Sequence, residues 1–161
     1  MITIDRERTP KDLVRAIDAM FALSAGKIRL IEDSWVASEG APVFTVNGKY
    51  TARGWTEWTQ GFQFGSALLQ FDATGDRKFL ELGRKHTLER MAPHVTATGV
   101  HDHGFNNVST YGALWRLARE RRFKPTAGEL ETYRLALKVS GAVQASRWTR
   151  LPFGGFIHSF N

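Results

Sequence analysis

The residues best suited to chemistry lie in one polar stretch, Gly99-Val100-His101-Asp102-His103-Gly104-Phe105-Asn106-Asn107. One carboxylate stands between two imidazoles, and Gly99 and Gly104 bracket them. A carboxylate in such a loop works as general acid or base when apolar and aromatic walls raise its pKa toward working pH, so Asp102 is the first catalytic candidate. The plainer alternative is that Asp102 caps a helix or pairs with an arginine. His101 and His103 invite a metal, yet they point the same way only on extended backbone and no third ligand is evident nearby, so no metal is expected.

Two further groups bear on binding. Trp55, Trp58, Phe62 and Phe64 gather at the start of an apolar segment, where aromatic rings either stack on the apolar face of a sugar or form core. Trp58, at the entrance of that segment, is the best placed for a sugar. Arg116, Arg119, Arg121, Arg122 and Lys124 could contact phosphate or could be a solvated helix end. No nucleic-acid motif accompanies them, so no nucleic-acid partner is expected. The 22 basic against 16 acidic residues leave a net charge of +6, a field that favours anionic ligands such as acidic sugars. The absence of cysteine excludes disulfides, thiolate metal sites and a cysteine nucleophile. The charged start and the lack of a long apolar run suggest neither a signal peptide nor a membrane span, and favour a cytoplasmic location.

These residues must be held by helices. Thr9-Pro10-Lys11-Asp12 reads as a helix start, and Leu13, Ile17, Met20 and Phe21 share a face to about Ala25. Residues 26–50 are ambiguous: Ile28, Leu30 and Ile31 could extend the helix, whereas Gly40-Ala41-Pro42 and Asn47-Gly48 are turn signals. Trp58 to Phe71 has almost no polar face and should be buried on most sides. Arg77 to Met91 is two-sided, with Phe79, Leu82 and His86 inward and Glu81 placed to pair with Lys85. After the polar loop, Ser109 to Ala118 is again apolar nearly all round, and Thr126-Ala-Gly-Glu129 is a capping box opening a helix to about Ser146. The tail, with Pro152, Gly154 and Gly155, reads as a turn into a short extended segment. Five helices of alternating character suit an all-α fold of stacked helical hairpins in a single domain spanning residues 1–161.

Trp58-Thr-Gln-Gly-Phe-Gln-Phe-Gly65, then Thr74-Gly-Asp76, then His101-Asp-His-Gly-Phe105, resemble in order the motifs of the unsaturated glucuronyl hydrolases of glycoside hydrolase family 88 and their relatives. Ser146-Arg147-Trp148 and Gly155-Phe-Ile-His-Ser-Phe160 look like the next landmarks, so the resemblance covers roughly residues 10–161. It implies an (α/α)6 toroid of helical hairpins, of which this chain would hold part. It also implies an enzyme that hydrates the double bond of an unsaturated uronic acid at the end of an acidic oligosaccharide, without metal or organic cofactor.

By the same resemblance Asp102 matches the aspartate that partners the main acid/base, Trp58 an aromatic at the pocket rim, and Phe160 a position near a pocket tryptophan. His101 and His103 beside Asp102 are candidate substrate contacts. Two departures stand out: the family's principal acid/base aspartate has no counterpart here, and family members are substantially longer. The expectation is therefore a partial domain, either lacking its C-terminal half or self-associating to cover apolar surface. A non-catalytic helical module that binds an acidic sugar or a protein is the alternative.

Overall fold

The computed structural model describes residues 7–53, 58–99 and 101–159, and divides after Ser34 into two compact units. In the first, the Thr9 N–H and hydroxyl both donate to Asp12 Oδ2, at 2.7 and 2.9 Å, and a 3-10 turn at Pro10–Leu13 leads into α1, Val14–Ser34. The helix does not stop near Ala25. Gly26 sits in open space within it, and Ile28, the one buried residue of α1, lies beyond it. Leu13, Ile17, Met20, Leu23 and Leu30 are exposed.

The second unit is mostly helical, with two small antiparallel hairpins that an all-α reading leaves out. Strands β1 (Ala41–Val46) and β2 (Lys49–Arg53) are joined by Asn47 and Gly48, both at positive φ, as a two-residue hairpin turn needs. Strands β3 (Trp148–Leu151) and β4 (Gly154–Ile157) form the second hairpin from the tail.

Between them stand two helical hairpins. Helix α2, Thr59–Thr74, ends where Gly75 takes the left-handed conformation and its N–H returns to the Phe71 carbonyl. Asp76 then caps α3, Arg77–Arg90, by accepting from Lys78 N–H at 3.0 Å. Pro93 falls in a short turn, α4, Ala92–Val95, where a missing N–H does no harm. The polar loop is shorter than expected, because Gly104–Gly112 is already helical in a wide π form that continues as α5, Ala113–Arg119. The Ala113 N–H reaches the Val108 carbonyl, a π-type bond. α5 closes with Arg121 at φ 59°, its N–H on the Ala118 carbonyl and that of Arg122 on Leu117, the hydrogen-bond pattern more often built on glycine. α6, Ala127–Ser146, opens with the Thr126–Glu129 capping box.

Phe64, Leu68 and Phe71 of α2, Phe79 and Leu80 of α3, and Leu114 and Leu117 of α5 are all buried, and α2 packs on both α3 and α5. α2 is less enclosed than its sequence suggests, since Phe62 and Leu69 are exposed. Glu81 pairs not with Lys85 but with Arg84, at 3.3 Å, and Arg84 forks onto Glu129 at 2.6 and 2.8 Å, tying α3 to α6.

The contact between α2 and the π segment is backbone to backbone. A Cβ on Gly61 would lie 2.0 Å from the Phe105 carbonyl oxygen, and one on Gly65 would lie 2.7 Å from that of Ser109. Two glycines one turn apart on α2 thus let the π segment lie directly on the helix. Gly61→Ala should lower stability by about 2–3 kcal/mol in urea unfolding, because the obstacle is backbone that cannot move aside. Gly141→Ala, in open space on α6, should raise it by about 0.5–1 kcal/mol. Equal effects of the two substitutions would refute the close contact.

Candidate functional site

The loop from α4 reaches Asp102 immediately before the π segment. Its backbone is turned there: His103 N–H donates to the His101 carbonyl at 2.9 Å, and Asn106 N–H to the Asp102 carbonyl at 3.4 Å. The Asp102 side chain is half-buried, with 16% of its surface exposed, and its Oδ1 lies 3.5 Å from His101 Nε2. His101 is exposed, and its Nδ1 stands 3.2 Å from the Ser159 carbonyl. A carbonyl only accepts, so Nδ1 carries a proton. Nε2 therefore offers Asp102 an N–H when the ring is charged and a lone pair when it is neutral.

His103 turns the other way. It is 3% exposed, and its Nε2–H donates to the Ala97 carbonyl. In the neutral ring its Nδ1 then accepts, from the Ser140 hydroxyl at 2.9 Å and from Asn107 Nδ2 at 3.5 Å. Asn107 Nδ2 donates to Ser140 Oγ at 3.3 Å and to the His94 carbonyl at 3.1 Å, while His94 Nε2 meets Gln60 Oε1 at 2.8 Å. The two histidines that flank Asp102 in sequence are thus separated: one faces solvent, the other presents its ring to the interior. Among the described residues no three His, Cys, Asp or Glu side chains are grouped to hold a metal ion.

Two elements late in the chain hold this loop. On α6, Ser140 and Gln144 are one turn apart; Ser140 engages the His103 ring, and Gln144 Nε2 donates to the His101 carbonyl at 3.0 Å. Arg147, buried at the end of α6, donates to the Ser159 carbonyl at 3.0 Å, to that of His158 at 3.4 Å, and to that of Thr98 in the loop. The landmark Ser146-Arg147-Trp148 therefore reaches the Asp102 loop through Arg147. Sequence reading missed Ser140 and Gln144; the usable signal was a pair of polar residues at i and i+4 on a helix otherwise read for its apolar face.

Three residues after Asp102, Phe105 joins an exposed aromatic cluster. Trp58, Phe62 and Phe105 have ring centroids 5.4–5.7 Å apart and are each a little under half exposed. Phe64, by contrast, is core, stacked on His86 at 4.7 Å with Trp35 edge-on. Trp55 and Phe160 lie outside the described residues. Phe62 also borders an open apolar groove of about 310 Å³ floored by Gly65, Ser66, Ser109 and Ala113. Three residues of the basic run are engaged with their own fold: Arg116 and Arg122 both pair with Asp72, at 2.5 and 2.8 Å, and Arg119 lies over the Trp115 ring. No described helix is long and apolar enough to cross a membrane. The chain matches no family model, no curated protein and no solved structure.

Burial, with the nearby His103 charge second, pushes the His94 imidazole down to about 4. The unfolded chain binds its proton near pH 6.5, the folded one only near 4, so this group costs stability as pH falls through that window. Between pH 7 and pH 5, His94→Gln should lose about 2 kcal/mol less stability than the wild type in urea unfolding. Parallel losses would place the acid sensitivity elsewhere.

Proposed function

We propose that Asp102, His101 and the Trp58–Phe62–Phe105 cluster form a site for an acidic sugar of the unsaturated glucuronyl type. The observation that carries this reading is the position of Phe105, which follows Asp102 by three residues and rests on Trp58 and Phe62. A carboxylate and a sugar-sized aromatic platform are thereby joined by less than one helical turn. Rings half in solvent stack on the apolar face of a pyranose, and the net positive charge draws an anionic ligand. The helical hairpins α2–α3 and α5–α6, with the π segment lying on α2, are read as consecutive members of an (α/α)6 array.

In the reaction this reading implies, the vinyl ether carbon of the unsaturated ring is protonated and water adds at its neighbour. The hemiketal so formed opens and the glycosidic bond is lost. Asp102 would act with a second acid/base, and His101 would supply or withdraw a proton beside it. A second reading, a module that binds the sugar without turning it over, is favoured by one observation: the group that faces Asp102 among the described residues is the His101 imidazole, not another carboxylate.

Both readings are tested with the unsaturated disaccharide that a lyase releases from unsulfated chondroitin. Tryptophan fluorescence reports binding, and loss of the double bond's ultraviolet absorbance reports turnover. Trp58→Ala should weaken binding about three- to tenfold, the loss of one stacked ring. Asp102→Asn should abolish any turnover while leaving binding measurable. Binding with constant absorbance selects the non-catalytic reading, and absence of binding at millimolar sugar removes both.

A further inference from the structure

Among the described residues the Asp102 side chain is met by the exposed His101 ring, whose Nε2 lies 3.5 Å from Oδ1. Its position is set by its two sequence neighbours, and both are gripped by the same face of α6. Gln144 holds the His101 carbonyl at 3.0 Å, and Ser140, one turn earlier, holds His103 Nδ1 at 2.9 Å. The grip on His103 is specific to one tautomer. In the neutral ring the Ala97 carbonyl takes the Nε2 proton, so Nδ1 accepts, and it accepts from a hydroxyl whose own oxygen is held by Asn107 Nδ2 at 3.3 Å.

We propose that Ser140 and Gln144 are positioning residues that clamp the Asp102 carboxylate from either side. The clamp rests on the acidic-sugar reading only for what that carboxylate acts upon. Gln144 is half-buried, and its bond crosses to a loop carbonyl, so removing it loosens the His101 backbone without opening the core. Ser140 is buried, and removing its hydroxyl takes away the closer donor to His103 Nδ1 and leaves only Asn107 Nδ2 at 3.5 Å, which loosens the opposite side. Arg147 has a different part: its three carbonyl partners tie together segments on both sides of the loop, and none belongs to residues 101–103.

The test uses the full chain, labelled for carboxyl and imidazole nuclear magnetic resonance, as wild type, Gln144→Ala, Ser140→Ala and Ser140→Thr. In the wild type, His103 should show the tautomer protonated on Nε2. Amide exchange of residues 101–103 should speed up about tenfold in Gln144→Ala and in Ser140→Ala, with the Asp102 carboxyl titration displaced in both. Ser140→Thr, which keeps the hydroxyl, should restore wild-type behaviour. The carboxyl titrations of Asp72 and Glu129, remote from the loop, should stay in place, which a general loosening of the fold would not allow.

Affinity for the unsaturated chondroitin disaccharide should fall about fivefold in each alanine variant. A His103 protonated on Nδ1, or unchanged exchange and titration at Asp102 in Gln144→Ala, overturns the clamp. Displaced Asp102 signals in a protein that never binds the disaccharide uphold the clamp and sink the sugar reading.

Discussion

The second unit depends on two missing side chains. At Gly61 and Gly65 the π segment lies so close to α2 that no Cβ fits between the backbones, and the Gly61 N–H is taken by Asn106 Oδ1 at 3.0 Å. That bond is made within the first turn of α2, where N–H groups lack partners in their own helix. A buried asparagine therefore satisfies two needs at once: its own, and that of a helix end with no capping side chain at Trp58. The same contact fixes where Phe105 and Trp58 meet, and so where the aromatic cluster stands relative to Asp102.

Around that contact the interior is more polar than a helical core requires. Gln60, His94, His103, Asn107 and Ser140 are all buried and linked by hydrogen bonds from α2 through α4 and the π segment to α6. Such a network specifies one arrangement, because any slip leaves a buried donor or acceptor unmatched. It also makes the fold sensitive to protons in the range where histidines titrate. Charge is handled differently at the periphery: the Arg84–Glu129 fork holds the Glu129 carboxyl down to about 2, and Asp72 gathers two arginines from the end of α5. Arg116 and Arg122 of the basic run are thus built into the hairpin connection.

Much of this was legible in the sequence, and the failures have physical causes. The helical hairpins showed in the apolar periodicity and in strong end signals, Gly75 with Asp76 and Thr126 with Glu129. α1 ran past its expected end because a single glycine, Gly26, lowers helix propensity without stopping a helix. The polar loop was drawn too long because Asn106 and Asn107 look like turn residues, and only their buried partners, Gly61, Ser140 and the His94 carbonyl, explain them in a helix. His101 and His103 looked equivalent, since nothing local says which ring meets Ser140. Asp102 could be singled out from its neighbours, but the α6 residues around it could not, because they lie about forty positions away.

What remains open to direct trial is whether the carboxylate and the aromatic cluster, held together by the glycine contact, receive one ligand. Amide and indole chemical shifts, followed while the unsaturated chondroitin disaccharide is titrated into the full chain, address this most directly. A single sugar site predicts shifts at residues 101–105 and at the Trp58 indole that saturate together at one concentration, with Arg119 and Arg122 unmoved. Shifts confined to the arginine-rich end of α5, or separate saturation at Asp102 and Trp58, would contradict it.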